Sequence, residues 1–159
     1  MAVARALGPA AGIVWPNDLV MDGAKVCGVL CETAVDEAGT DWVVVGIGVN
    51  VRGAPEVTDG RWRAGCLADS GEGRSRGTLL AAILTELSVA YREWRDAGPE
   101  PALAEFAGRD LLRGEAVRVR SFDRELVGTA NGLDDRGRLR VRTAGGEVAV
   151  DSGEVTKAG

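Results

Sequence analysis

The spacing of apolar positions divides the chain into two kinds of segment, with the change at about Leu111. Residues 1–7, MAVARAL, read as the end of a helix stopped by Gly8-Pro9. A short strand at 13–15 leads into Trp15-Pro16-Asn17-Asp18, a turn in which Pro presets φ and Asn or Asp can bond its own backbone. Apolar runs at 19–21 and 26–35 flank Asp22-Gly23, a two-residue hairpin signal. Residues 42–51, WVVVGIGVNV, are almost continuously apolar, which predicts a strand buried on both faces and helices covering at least one side of its sheet.

From 52 to 74 the chain is polar, irregular and rich in Gly, with isolated Pro55 and Trp62, so a long functional or disordered loop is expected. Leu79, Leu80, Ile83, Leu84, Leu87, Tyr91 and Trp94 then follow helical periodicity, with Ser75 placed as the N-cap. A second short helix at 101–107 turns Leu103 and Phe106 inward. Beyond Leu111, EAVRVRSF, RELVGTANGL, GRLRVRTA and EVAVDSGEV are short alternating segments separated by Asp/Gly turns. They predict a small antiparallel barrel or sandwich. The expected organisation is two units, helices with a mixed sheet over 1–110 and an all-β unit over 111–159, α+β overall.

Composition narrows the partners. A chain of 159 residues can bury a core, and a net charge of -5 offers no general attraction to nucleic acid or anionic membrane. No apolar run reaches membrane-spanning length, and MAVARALGPA lacks the apolar core of a signal peptide, so a cytoplasmic protein is expected. Cys27, Cys31 and Cys66 have no histidine to complete a metal site, and none is assigned. Cys27 and Cys31 fall on one face of a predicted strand, where small buried apolar residues are the expected reading.

Nearly every cation is arginine; the exceptions are Lys25 and Lys157. Lys25 stands in an apolar strand close to Gly28, where an ammonium can meet a ligand against bare backbone. A point charge on a flexible stem suits a phosphate or acyl phosphate whose charge moves during reaction. Position alone leaves open a solvated lysine beside the Asp22-Gly23 turn. The Trp15–Asp18 turn offers an aromatic plane and an Asn that matches an adenine edge, or is a plain turn over a core Trp. Gly46-Ile47-Gly48-Val49-Asn50 follows a buried strand but lacks the third glycine and the helix of a dinucleotide fingerprint.

Taken in order, Trp15-Pro16-Asn17-Asp18, Lys25 with Gly28-Val29-Leu30 and Glu32, and Gly46-Ile47-Gly48-Val49-Asn50 resemble the second half of the catalytic domain of biotin–protein ligases. AGCLAD is similar to the short Ser/Thr-Leu element that follows their adenylate loop, and the C-terminal segment resembles their SH3-like barrel. The resemblance implies a class II aminoacyl-tRNA synthetase-like sheet and a two-step reaction. Biotin and Mg2+-ATP give biotinyl-5′-AMP, and a lysine of a carboxylase's biotin carboxyl carrier domain then takes the biotinyl group. By resemblance Lys25 is the catalytic lysine that contacts biotin carboxylate and adenylate phosphate. Gly28 and Leu30 border biotin. Trp15, Asn17, Asp18, Gly48 and Asn50 line the nucleotide. Residues 52–74 correspond to the segment that orders over the adenylate, with Trp62 an unaligned aromatic.

The departures are Val14 where the family has Lys, and Cys66 where it has Ser or Thr. No Gly-Arg-Gly-Arg-x-Gly-Arg loop is present, nor a DNA-binding helix-turn-helix. The expectation is therefore a ligase with little activity in this chain alone, an exposed sheet edge that pairs with a second copy, binds a separate N-terminal half or aggregates, and a barrel that folds on its own. The competing expectation is a non-catalytic module that docks a partner through its barrel.

Overall fold

A computed structural model describes residues 1–35, 41–56, 62–121 and 124–158. Helix α1 (Ala2–Leu7) precedes strands β1 (Gly12–Val14), β2 (Asp18–Met21), β3 (Ala24–Val35), β4 (Asp41–Val49) and the two-residue β5 (Arg63–Ala64). A 3₁₀ turn, Leu67–Ser70, leads to α2 (Arg76–Ala97) and α3 (Glu100–Ala107). Strands β6 (Ala116–Ser121), β7 (Arg124–Leu133), β8 (Leu139–Thr143), β9 (Gly146–Val150) and β10 (Glu154–Lys157) complete the chain. Ser75 caps α2 by accepting from the Thr78 amide, as its position predicts.

The first sheet runs β1-β2-β3-β4 in antiparallel pairs, and β5 adds to the start of β3 in parallel, so the sheet is mixed. Strand β2 reaches along β3 only as far as Gly28, whereas β4 pairs β3 from Cys27 to Val35. Beyond Gly28 the β3–β4 pair is a two-stranded ribbon. The burial on both faces predicted for 42–51 is not met: Trp42 is 47% exposed, Val43 57% and Val44 50%. Both faces of this stretch carry exposed apolar side chains instead. Helix α2 follows its periodicity but buries only Leu79 and Ile83, leaving Leu80, Leu84, Tyr91 and Trp94 exposed, because α1 and α3 cover just part of its apolar stripe. Cys27 is buried and Cys31 exposed, because Cys31 lies on the ribbon.

The second sheet is antiparallel in the order β10-β6-β7-β8-β9. The segment EVAVDSGEV forms two strands, broken where Gly153 adopts φ +156°. Among the described residues its outer strands β9 and β10 pair only with β8 and β6, so hydrogen bonding does not close the expected barrel. Strand β9 is exposed from Gly146 to Ala149 and supplies little to an interior. Val117, Val119, Leu139, Val141 and Val155 are buried and join Ile13 and Val26 of the first sheet and Leu67 in one continuous core. The connection near Leu111 is itself tied down: Ile13 N–H donates to Arg109 O at 2.7 Å and Leu111 N–H to Ile13 O at 3.0 Å.

Candidate functional site

A β-bulge sets the position of Lys25. Leu19 and Val20 are adjacent on β2, but their partners on β3 are Cys27 and Lys25, which leaves Val26 as the extra residue. Paired residues share a face of a sheet and alternate residues return to it. Asp18 pairs Gly28 and Val20 pairs Lys25, so Asp18, Lys25 and Gly28 share one face. A regular strand would have placed Lys25 and Gly28 on opposite faces. Sequence patterning carries no signal for this bulge, because Val26 is apolar in either register.

On that face Lys25 Nζ lies 2.7 Å from Asp18 Oδ1. Asp18 is the buried charged residue of the described core, and a carboxylate removed from water requires such a partner. The Lys25 side chain keeps 37% of its surface exposed, so the ammonium is held from behind and open in front. Gly28 lies next to the pair; a Cβ there would stand 3.6 Å from Asp18 Oδ1 and 3.9 Å from Lys25 Nζ. Gly28 pairs Gly48, and Leu30 pairs Gly46, continuing the same face along β3 and β4. Three glycines thus form a floor of bare backbone beside an ammonium, bordered by Leu30, which is 62% exposed. An anion with an apolar extension fits this arrangement.

Hydrogen bonds fix the surroundings. Val29 N–H donates to Asn17 O at 2.8 Å, tying the turn to β3. Asn50 N–H donates to Val26 O at 2.8 Å, Asn50 Nδ2 donates to Gly65 O at 3.0 Å, and Asn50 O accepts from Leu67 N–H at 2.8 Å. Asn50 therefore fastens residues 65–67 to the site strand. Trp15 is 5% exposed and packs in the core, with its indole N–H donating to Gly137 O at 3.1 Å. Burial raises the Cys27 thiol to about 11, with the Asp18 charge acting in the same direction and Lys25 against it.

A cleft of about 620 Å³ opens where Asn17, Leu30, Val29, Ile47 and α1 meet, and Lys25 and Asp18 lie outside it. Leu30 of the glycine face also lines this cleft, whose Val29, Cys31, Val45 and Ile47 lie on the opposite face of the sheet. Trp62 stands apart from the glycine floor, beside Asp110 and Gly23 in a cavity of about 370 Å³, with Lys157 Nζ 5.4 Å from its ring centre. Cys66 precedes the 3₁₀ turn and its amide donates to Asp69 Oδ2 at 3.2 Å. Residues 57–61 of the polar loop lie outside the described residues, as do 36–40 and 122–123. No helix among the described residues is long and apolar enough to cross a membrane.

Comparison with known proteins places these features in a group. The family model described as the biotin/lipoate A/B protein ligase family matches residues 3–50, and that of the biotin protein ligase C-terminal domain matches 113–157. The chain is 37% identical over 146 residues to a biotin–[acetyl-CoA-carboxylase] ligase of Mycobacterium tuberculosis, covering 91% of this chain and 52% of that protein. It is 32% identical over 162 residues to the Paracoccus denitrificans protein of the same name, covering 97% of this chain and 67% of that one. The biotin protein ligase of Aquifex aeolicus, solved with biotin and ATP, superposes with a TM-score of 0.84 at 26% identity, over 99% of this chain and 68% of that chain. The chain thus spans about half the length of the tuberculosis protein.

Proposed function

The chain belongs to the biotin–protein ligase family, and from that premise we propose that it supplies the lysine-bearing part of a site that activates biotin with ATP. The observation that supports this most directly is the Lys25–Asp18 pair facing a floor of glycines. In the first step a biotin carboxylate oxygen bonds to the α-phosphorus of ATP, the bond to the leaving oxygen breaks, and pyrophosphate departs. In the second, a lysine amine of a biotin carboxyl carrier domain attacks the acyl carbon of biotinyl-5′-AMP, and AMP leaves. Negative charge moves between acyl and phosphoryl oxygens in both steps. One ammonium, oriented by Asp18 and free in front, can follow it. Gly28 and Leu30 border the biotin, while Asn17, Asp18, Gly48 and Asn50 border the nucleotide, with Trp15 supporting the turn from beneath. Mg2+ arrives with the ATP phosphates as part of the substrate, and the reaction is cytoplasmic.

Replacing Lys25 by Ala in the intact protein tests this. Biotin-dependent exchange of labelled pyrophosphate into ATP should fall by roughly 10²–10³, the scale seen when one preorganised stabilising group is removed from a reaction centre. Lys157→Ala should leave it within about twofold, since that ammonium lies over Trp62 and beside Glu115 on the last strand. Full exchange activity in Lys25→Ala would mean that Lys25 is not the catalytic lysine.

A further inference from the structure

We propose that the C-terminal unit positions the catalytic turn, and that Trp15 is the positioning residue through which it acts. This rests on the reading of Lys25 and Asp18 given above. The indole N–H is the single polar group of the Trp15 side chain. A buried indole N–H needs an acceptor, and this one finds it 122 residues away, on Gly137. Gly137 lies between β7 and β8 in a turn held largely by one carboxylate. Asp134 Oδ1 accepts from the amides of Arg136 at 3.0 Å and Arg138 at 2.9 Å, and Oδ2 accepts from Arg138 Nε at 2.7 Å. Gly137 adopts φ +76°, and its own amide closes the turn on Asp134 O at 3.1 Å. The acceptor carbonyl is therefore fixed by its own unit rather than brought into place by the indole.

On the other side, Trp15 is followed directly by the residues of the site. Asn17 O accepts from Val29 N–H at 2.8 Å, and Asp18 Oδ1 meets Lys25 Nζ at 2.7 Å. Four consecutive residues thus connect a rigid turn of the second unit to the ammonium of the first. A burial role alone would be satisfied by any large apolar ring. The hydrogen bond adds direction: it fixes the height of the turn against the second unit, and with it the reach of Asp18 toward Lys25.

Trp15→Phe keeps a ring and removes the hydrogen bond. Val155→Ala, a cavity in β10 two strands from the Gly137 turn, serves as a control that lowers the denaturation midpoint without touching the contact. Amide exchange of the intact chain reads the site turn directly. The Val29 amide should exchange about tenfold faster in Trp15→Phe, the scale of one net hydrogen bond, and should be unchanged in Val155→Ala. Asp134→Ala should give a similar acceleration, and the double variant no further one, because both act through a single contact. In biotinyl-adenylate formation, Trp15→Phe should lower kcat about tenfold with KM for biotin within about twofold. Equal Val29 exchange in Trp15→Phe and the control, or additive effects of the two substitutions, would overturn the proposal. A parent chain that forms no adenylate even when the separate N-terminal half is supplied would instead overturn the functional reading and leave the exchange result to decide the coupling.

Discussion

The two ends of strand β3 belong to one sheet and have different environments. At the Lys25 end, Ala24, Val26 and Cys27 are 4%, 1% and 2% exposed, with β2 on one side, β5 on the start of β3, and Asn50 fastening the next segment. At the other end β2 has stopped, each strand has only the other as partner among the described residues, and Leu30, Val35 and Val43 are 62%, 69% and 57% exposed. A two-stranded ribbon has little stability of its own. The rigid part of this sheet is therefore the part that holds the ammonium, and the ribbon beyond it presents apolar surface. Local stability should fall along the pair in the same order.

Truncating one valine at each end tests that gradient most strongly. Val26→Ala removes two methyl groups from a site with almost no access to water and should cost about 2–3 kcal/mol, a transfer loss plus an unfilled cavity. Val43→Ala on the ribbon should cost less than about 0.5 kcal/mol, since Val43 keeps most of its surface in water when folded. Urea denaturation with unchanged m-values separates the two. Equal losses would mean that the ribbon is covered in solution.

The Cys27 thiol gives the next effect, as a function of pH. Its folded value is pushed up to about 11 from an ordinary 9.0, first by burial and then by the Asp18 charge. Below about pH 9 the thiol is neutral in both states and costs nothing. Between about 9 and 11 the unfolded chain loses this proton and the folded one retains it, so stability falls as pH rises. The loss attributable to this group should reach about 2 kcal/mol by pH 11. Cys27→Ala should flatten that part of the curve. Coincident alkaline limbs for the parent and Cys27→Ala would exclude Cys27 as the source.

Much of this was legible in the sequence. The Asp22-Gly23 hairpin, the Ser75 cap and the change of rhythm near Leu111 are local signals, and each corresponds to a feature of the structure. The order of Trp15–Asp18, Lys25, Gly28 and the Gly46–Asn50 segment pointed to the family. The features that patterning missed are long-range. Exposure of β4 depends on what lies beside the sheet, and an apolar strand looks the same whether or not anything covers it. The Val26 bulge decides the face of Lys25 without leaving a polar residue out of place. The Trp15 turn shows its aromatic in the sequence, but its hydrogen-bond partner follows only once the second unit is placed.

Two glycines at the Lys25 end separate architecture from open floor. A Cβ at Gly65 would come within 2.5 Å of Ala24 Cβ, next to Lys25 on the strand that β5 extends. Neither atom belongs to a flexible chain end, so the backbone must move, and Gly65→Ala should cost about 1–2 kcal/mol. A Cβ at Gly28 would meet nothing closer than 3.6 Å, which is ordinary contact. Gly28→Ala should therefore leave the denaturation midpoint almost unchanged, within about 0.5 kcal/mol. It nevertheless places a methyl group on the glycine floor, within 3.9 Å of the Lys25 ammonium. The expected signature is a stable protein with impaired biotin-dependent pyrophosphate exchange, and circular dichroism melts beside exchange rates measure it. A Gly28→Ala protein as active as its parent would show that the reacting groups do not approach across that floor. One that unfolds early would show that the space beside Lys25 is already filled.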